Sequence, residues 1–301
     1  MGSLAITPNE NPVFYAVIGW ALQRSLDRGV SWEPVTVPTK PNGRSVYTRA
    51  FAIDYRNPET QYLTTDKGIF RREGEGEWQL VNSISAVSLA VDFVDSNVLW
   101  AGVYWSTEYG AVLLRSDDGG QTWAKADTGM VRGYRSEVDT ILVDPNDPGT
   151  LYAVQRYSGR FGWPTGWLYR GTRAGQWQRL SLGGFERTYP EKAETCIPNG
   201  LALDPVGDAL YVGCDAYYYN KGHAWLLRTS GPRTLDPQAI PWEVVHEFDP
   251  VEGYWYGYAR PLAVDAREPW SLYVSALAYG GDPPAEHRRL WVSHDQGGSW
   301  E

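Results

Sequence analysis

One phrase that recurs six times limits the possible folds of this chain more than any other feature. Each copy has an apolar strand, usually ending in Asp, then a short turn and a second strand rich in Tyr, Val and Ala. A clear copy runs from Leu201-Ala-Leu-Asp204 to Ala209-Leu-Tyr-Val-Gly213. The copies start about 40 to 60 residues apart, and such a period is typical of proteins in which each repeat builds one small sheet.

A Trp-bearing hairpin closes each copy, and three of these hairpins share the pattern Ser-x-Asp-x-Gly-x-(Ser/Thr)-Trp. The Asp side chain can accept hydrogen bonds from nearby backbone amides, and Gly adopts positive φ at little cost. The Trp ring supplies a large face that packs over the hairpin. We therefore expect these positions to be structural: Ser25, Asp27, Gly29 and Trp32; Ser116, Asp118, Gly120 and Trp123; Ser293, Asp295, Gly297 and Trp300.

This pattern resembles the Asp-box, or bacterial neuraminidase (BNR), repeat found in sialidase-like, sortilin-like and xyloglucanase-like proteins. Short strands at this period, without an amphipathic helix, predict an all-β fold, a β-propeller of four-stranded antiparallel blades. The resemblance implies that the Asp-boxes lie away from any active site. We predict a single domain, 1–301, with blades at approximately 1–40, 41–82, 83–130, 131–182, 183–248 and 249–301.

The sixth predicted blade stops at Trp300-Glu301, one residue into its fourth strand, which we label D. Closure of a propeller removes exposed strand edges. We therefore expect the chain to be one domain of a longer protein with seven or more blades. A six-bladed ring with an open seam is the alternative.

Composition and motifs exclude several classes of protein. The net charge of −9 argues against a nucleic-acid partner, which requires a basic surface. No apolar run is long enough for a membrane span, and 43% hydrophobic residues is too many for a disordered chain. The four His lack metal-ligand spacing, and no phosphate-binding or dinucleotide motif is present. We expect neither a metal nor a cofactor.

Two cysteines, Cys196 and Cys214, flank the first two strands of the fifth copy. Antiparallel pairing of those strands can bring them together as a disulfide; two buried thiols are the alternative. The N-terminus has no signal-peptide pattern. The repeat family and the possible disulfide nevertheless favour an extracellular or periplasmic location.

Long aromatic-rich segments predict a ligand-binding face opposite the Asp-boxes. We label the four strands of a blade A to D, and read the segments as B–C loops at 104–111, 156–166, 215–223 and 279–288, and D–A loops at 131–137, 183–198 and 249–260. Aromatic rings with a few polar groups suit a ligand, and a sugar in particular, unless the rings bury one another. The candidate ligand-binding residues are Tyr104, Trp105, Tyr109, Arg156, Tyr157, Arg160, Trp163, Tyr217, Tyr218, Tyr219, Tyr254, Trp255, Tyr256 and Arg260.

Three functions fit this face. The first is non-catalytic binding of a glycan or protein ligand. The second is a glycoside hydrolase, xyloglucanase-like rather than sialidase-like because the chain lacks the Arg-Ile-Pro motif of sialidases. A glycosidase needs two carboxyl groups, and Asp215 and Glu108 are candidates because both lie in aromatic B–C loops. The third is a scaffold whose aromatic face is covered by a protein partner.

Overall fold

The computed structural model describes residues 3–40, 43–105, 110–133, 135–158, 164–185, 196–217, 224–248, 254–267, 270–280 and 285–301. Side chains are not described at 158, 164, 184, 216–217, 254–258, 277–280 and 285–289. Within the described ranges the regular structure is β-strand except for one 3₁₀ turn, Gly183–Phe185. No described helix is long and apolar enough to cross a membrane.

The first three sheets each have four antiparallel strands whose spatial order follows the chain. Their strands are β1 (Leu4–Ile6), β2 (Phe14–Ile18), β3 (Ala21–Ser25) and β4 (Glu33–Pro34); β5 (Thr48–Ile53), β6 (Thr60–Thr65), β7 (Gly68–Glu73) and β8 (Gln79–Asn82); and β9 (Ala86–Val91), β10 (Leu99–Val103), β11 (Leu113–Ser116) and β12 (Ala124–Lys125).

The remaining strands build three further blades. They are β13 (Ser136–Val143), β14 (Thr150–Ser158), β15 (Pro164–Thr172) and β16 (Trp177–Leu180); β17 (Ile197–Asp204), β18 (Ala209–Tyr217), β19 (Ala224–Ser230) and β20 (Glu243–Phe248); and β21 (Tyr254–Asp265), β22 (Ser271–Gly280) and β23 (Ala285–Ser293). Glu301 pairs with Val292 of β23 through two backbone hydrogen bonds. The predicted fold class is confirmed: the chain is an all-β propeller with six blades.

The last two blades share one seven-stranded sheet, which the repeat did not predict. The end of β18 pairs with β21, so that Asp215 lies opposite Tyr258 and Tyr217 opposite Tyr256. The chain also divides into two compact units, 1–149 with 173–176 and 150–172 with 177–301. We call them unit 1 and unit 2.

Several segments predicted as loops are strands. Residues 156–158 pair with 164–166, and β22 and β23 continue to the pair Gly280 and Ala285. Likewise β21 includes the second half of the predicted 249–260 loop, and β18 includes the start of the 215–223 loop. The loop interpretation failed because Tyr and Trp, taken there as ligand-facing loop residues, are also favoured in strands.

The core comes from the second strand of each blade. Its recurrent aromatic residue is nearly inaccessible in every copy, and the six residues are Tyr15, Tyr62, Trp100, Tyr152, Tyr211 and Tyr273. Burial raises the pKa of the Tyr211 hydroxyl to about 12. The repeated phrase is therefore a packing signal.

The Asp that ends the first strand is buried in five blades and closes the following turn. In each case its carboxylate accepts the backbone N–H two residues on, as in the Asp92 bond from Val94 at 2.8 Å and the Asp204 bond from Val206 at 3.0 Å. Asp54, Asp144 and Asp265 make the same contact.

The Asp-box geometry gives every position of the pattern a contact. In the second box, Gly120 N–H donates to Ser116 Oγ at 2.9 Å, Thr122 Oγ1 donates to Asp118 Oδ2 at 2.6 Å, and Trp123 Nε1 donates to the Gly120 carbonyl at 2.8 Å. The equivalent bonds recur in the other two boxes. Hydrogen bonds from Thr122, then from Ser116, lower the pKa of Asp118 to about 2.

Cys196 and Cys214 form a disulfide, which settles the alternatives left open by the sequence. The bridge ties the segment before β17 to β18, and both residues are buried. Cys214 directly precedes Asp215, so the cross-link lies at the strand end that carries this carboxylate.

Candidate functional site

Among the described residues, unit 1 has four exposed aromatic side chains. One of them, Tyr55, lies in the β5–β6 turn, and the other three, which we call the aromatic set, are Trp20, Tyr47 and Tyr104. Trp20 lies in the β2–β3 turn, Tyr47 directly before β5 and Tyr104 directly after β10. In an up-and-down sheet, the second-to-third-strand turn and the connection to the next sheet lie at the same end. All three residues therefore lie at the ends of their sheets that are opposite the Asp-boxes.

Trp20 is 62% exposed and has a φ of +69°. With Gly19 at +58° it forms a two-residue hairpin turn, in which Gly, Asn and Asp are the favoured residues. A bulky residue at positive φ costs about 1–3 kcal/mol and persists only where the surrounding structure imposes it. The position of Trp20 is therefore unfavourable for folding, which marks it as a candidate for function.

Tyr47 is held by a charged pair. Lys40 Nζ lies 3.9 Å from the centroid of its ring and 3.0 Å from Asp66 Oδ2. The backbone N–H of Tyr47 donates to Asp66 Oδ1 at 2.8 Å. Burial by itself would raise the pKa of Asp66, but the Tyr47 N–H and Lys40 outweigh it and lower the pKa below its usual value.

Tyr104 contacts strands from two neighbouring blades. The Arg49 guanidinium lies 5.8 Å from the centroid of its ring, and Tyr104 forms an antiparallel bridge with Glu137. Burial, together with the adjacent Glu137 carboxylate, raises the pKa of the Tyr104 hydroxyl to about 12. This hydroxyl is therefore a hydrogen-bonding group at neutral pH and not a base.

Unit 2 contains a buried carboxylate centre, formed by Asp215, Arg156 and Asn199. Asp215 is only 1% exposed. Its Oδ2 accepts from Arg156 Nη2 at 2.9 Å, and its Oδ1 accepts from the Asn199 side-chain amide. Strand pairing on both sides fixes Asp215, opposite Ile197 on β17 and Tyr258 on β21.

A bulge in β17 brings Asn199 to this carboxylate. The register of β17 against β18 shifts between Pro198 and Gly200. A Cβ at Gly200 would lie 2.4 Å from Arg260 Cγ, so only glycine lets the Arg260 side chain pack over this strand. Arg260 is half-buried there.

The donors around Asp215 limit what it can do chemically. Both of its oxygens already accept a hydrogen bond, and breaking a buried ion pair is costly. Each carboxylate oxygen has two acceptor sites, so Asp215 can still accept a further donor, and the two bonds fix its orientation. The Arg156 side chain is 28% exposed, so Asp215 can orient a guanidinium that donates to a ligand.

The structure describes only some of the predicted site residues. Tyr104, Trp105, Arg156, Tyr157, Asp215 and Arg260 are described, and the Tyr157 ring centroid lies 6.3 Å from that of Trp167. Tyr217, Tyr254, Trp255 and Tyr256 lie on strands, with side chains outside the description. Glu108, Tyr109, Arg160, Trp163, Tyr218 and Tyr219 lie outside the described residues.

Two candidate residues, Trp20 and Tyr47, are not among those that the sequence predicts. Both lie in short connections, whereas the predicted face consists of long loops. The available signal was a Trp at the second position of a two-residue Gly-Trp turn, where that residue type is unfavourable. Among the described residues no group of acidic, His and Cys side chains could hold a metal ion.

Comparison with known proteins agrees with the repeat and the fold. Residues 114–125 match the model of the BNR/Asp-box repeat. The chain is a β-propeller that carries Asp-box repeats. Over its full length it superimposes on a GH74 enzyme from Niastella koreensis and on the GH74 xyloglucanase from Xanthomonas campestris, each with a TM-score of 0.63. The identities are 16% and 17%, and the match covers 44% of each neighbour, so this likeness concerns the fold.

Two curated relatives are xyloglucanases. The propeller is 28% identical over 271 residues to one from Paenibacillus sp, which covers 85% of this chain and 21% of the relative. It is 24% identical over 327 residues to one from Hypocrea jecorina, which covers 99% of this chain and 32% of the relative. The chain thus spans about a fifth to a third of the length of these relatives.

Proposed function

We propose that this propeller supplies a polysaccharide-binding surface of a glycoside hydrolase that acts on a xyloglucan-type β-glucan. The observation that carries the proposal is that the two xyloglucanase relatives align with 85% and 99% of the chain. These relatives support the hydrolase hypothesis better than the hypothesis of non-catalytic binding.

The exposed aromatic set supports the same proposal from the geometry. Sugar rings present C–H faces that stack on aromatic rings, while their hydroxyls take hydrogen bonds. Trp20, Tyr47 and Tyr104 offer such faces, and Lys40, Asp66 and Arg49 lie beside them with charged donors and acceptors. A surface of this kind suits a neutral glycan chain.

The carboxylate centre takes a binding role in this proposal. Asp215 positions Arg156, and Arg156 donates hydrogen bonds to sugar hydroxyls. Glycosidic hydrolysis requires two carboxyl groups that flank the scissile bond. Glu108 stays a candidate for one of them.

The test combines binding and hydrolysis of xyloglucan by the purified chain. Affinity electrophoresis measures binding, and reducing-end release measures cleavage. We expect Arg156→Gln to weaken binding about tenfold, a change of about 1.4 kcal/mol. The matched control is Arg233→Gln, which removes another arginine of unit 2 that pairs with a carboxylate, Asp208.

The outcomes separate the hypotheses. Binding with cleavage supports a catalytic propeller, and binding without cleavage supports a binding surface whose catalytic groups lie elsewhere in the protein. Failure to bind xyloglucan overturns the proposal. Equal losses in the Arg156 and Arg233 variants would show that the Arg156 effect is structural.

We also propose an extracellular or periplasmic location. The Cys196–Cys214 disulfide supports it, because such bridges persist mainly in oxidising compartments. Alkylation of free thiols in the protein from its native host, followed by mass spectrometry, tests this. Two alkylated cysteines without prior reduction would contradict it.

A further inference from the structure

Unit 1 has a groove of about 700 Å³ between the first and second sheets. One wall is the extended segment 34–39 that follows β4, and the other is the β7–β8 hairpin with Trp78. Trp78 Nε1 donates to the Thr36 carbonyl at 2.9 Å across the junction. The volume is in the range of small-molecule sites.

A buried arginine with one unused donor atom lines this groove. Arg72 is 5% exposed, and its Nε donates to Gln61 Oε1 at 2.9 Å. Its Nη2 has no hydrogen-bond partner in the part of the chain that the structure describes. Its Nη1 lies 3.8 Å from Glu75 Oε2, beyond hydrogen-bond distance. A buried donor without an acceptor is costly, so this guanidinium favours an oxygen-rich partner.

Acceptors and an aromatic ring accompany the arginine. Arg72 lies over the Trp78 ring at 4.6 Å from the centroid. Arg24 Nη1 donates to Glu75 Oε1 at 2.9 Å, and the Glu75 side chain is 68% exposed. Glu77 also lines the groove.

The lining selects a neutral ligand. The formal charges of two guanidinium groups and two carboxylates cancel. An anion would be repelled by Glu75 and Glu77, and a cation would be repelled by Arg24 and Arg72. Pro, Val and Trp side chains cover the rest of the groove with apolar surface. A sugar suits both the charged groups and the apolar surface, because each hydroxyl donates and accepts hydrogen bonds while the ring C–H groups are apolar.

We propose that this groove is a second carbohydrate site, for a neutral oligosaccharide, whose lining residues differ from those of the aromatic set. The sugar class rests in part on the proposed function; the groove chemistry stands independently of it. Such a site would hold a polysaccharide chain at a second point and so raise the effective concentration of sugar at the first.

The test uses ¹⁵N-labelled tryptophan in the full chain and follows the indole N–H signals during titration with a xyloglucan oligosaccharide. Trp78 reports on the groove and Trp20 on the aromatic set; Trp78→Phe and Trp20→Asn assign the two signals. We expect the Trp78 signal to shift in a saturable way. Thr36→Phe should fill the groove and weaken that response at least about tenfold.

Matched variants protect this result from a folding artefact. Thr36, Thr39 and Thr128 are all exposed, and Thr128 lies outside the groove. Thr128→Phe should leave the Trp78 response unchanged. Thr39→Phe replaces Thr36→Phe as the blocking variant if the latter does not fold, as judged from the other indole signals.

Each outcome decides between the two sites. A Trp20 response with a silent Trp78 overturns the groove site and leaves the proposed function standing. A Trp78 response that the blocking variants remove supports the groove, even if Trp20 is silent and the aromatic set fails. A Trp78 response that survives both blocking variants overturns the groove, and silence of both signals overturns both proposals.

Discussion

Trp20 lies in the turn before β3 and Trp32 in the turn after it, and they show two different uses of one residue type. Trp32 donates its indole N–H to the Gly29 carbonyl at 3.0 Å, and the turn takes positive φ at Arg28 and Gly29. Trp20 is 62% exposed and carries the positive φ itself. Arg28 of the Asp-box turn also takes positive φ, but the Ser25 and Asp27 side chains fix that turn by accepting from the Gly29 and Ser31 N–H groups, whereas the Trp20 turn places a large aromatic ring in solvent. This difference identifies the end with the Trp20 turn as the candidate for ligand binding.

The largest effect on stability should come from removing the Trp of an Asp-box. Trp123 packs against the core of the third sheet, and Trp→Ala in a core costs about 3–5 kcal/mol. We expect Trp123→Ala to lower the free energy of unfolding by roughly that amount in a denaturant titration, with glucan affinity unchanged while the protein is folded. A folded Trp123→Ala protein that loses glucan binding would contradict the structural role.

Removal of the disulfide should have the next largest effect. The bridge closes a loop with a sequence separation of 18, and in the chain-entropy model a loop of this length contributes about 3 kcal/mol. We expect the double variant Cys196→Ser, Cys214→Ser to lose about that much stability. Because Cys214 precedes Asp215, xyloglucan affinity should also fall. Unchanged affinity would show that strand pairing alone holds the carboxylate centre.

Trp20→Asn sharpens the comparison because stability and binding should move in opposite directions. Asn tolerates positive φ, so the variant should be more stable by about 1 kcal/mol. Loss of the exposed ring should weaken xyloglucan binding about tenfold. The control is Trp20→Phe, which keeps an aromatic ring and the unfavourable φ. A Trp20→Asn protein that binds normally would remove Trp20 from the site.

The smallest expected effect is the acid response of the Asp-box. The folded pKa of Asp118 is lowered from 3.8 to about 2 by bonds from Thr122 and Ser116. A lowered pKa contributes stability above the unfolded value, and that contribution is lost as the pH falls from about 4 to about 2. Asp118→Asn should therefore flatten the dependence of stability on pH in this window. An unchanged slope in urea titrations at several pH values would contradict the assignment.

The repeat determined the fold because its residues act locally. The Asp that ends each first strand bonds amides two residues on, and the Asp-box residues bond within eight positions of one another. Contacts this short can be recognised from spacing alone. The aromatic residue of each second strand, Tyr in five copies and Trp in one, likewise recurs at a buried position.

Other features depended on contacts between distant segments. The pairing of β18 with β21 and the bulge at Asn199 bring together residues that no short spacing connects. The predicted loops became hairpins because aromatic residues serve a strand as well as a loop. The sequence allowed either a disulfide or two buried thiols, because only the pairing of β17 with β18 brings the two cysteines together.

By itself, then, the sequence determined the strand repeat, the Asp-box turns and the propeller fold. It also determined the negative net charge, which argues against a nucleic-acid partner. Only the tertiary structure decided that Asp215 forms an ion pair with Arg156, that Trp20 and Tyr47 are exposed, and that Arg72 borders a groove. The physical reason is the separation along the chain of the residues that interact. Turn chemistry acts over a few residues of chain, whereas burial and ion pairing depend on which segments meet in space.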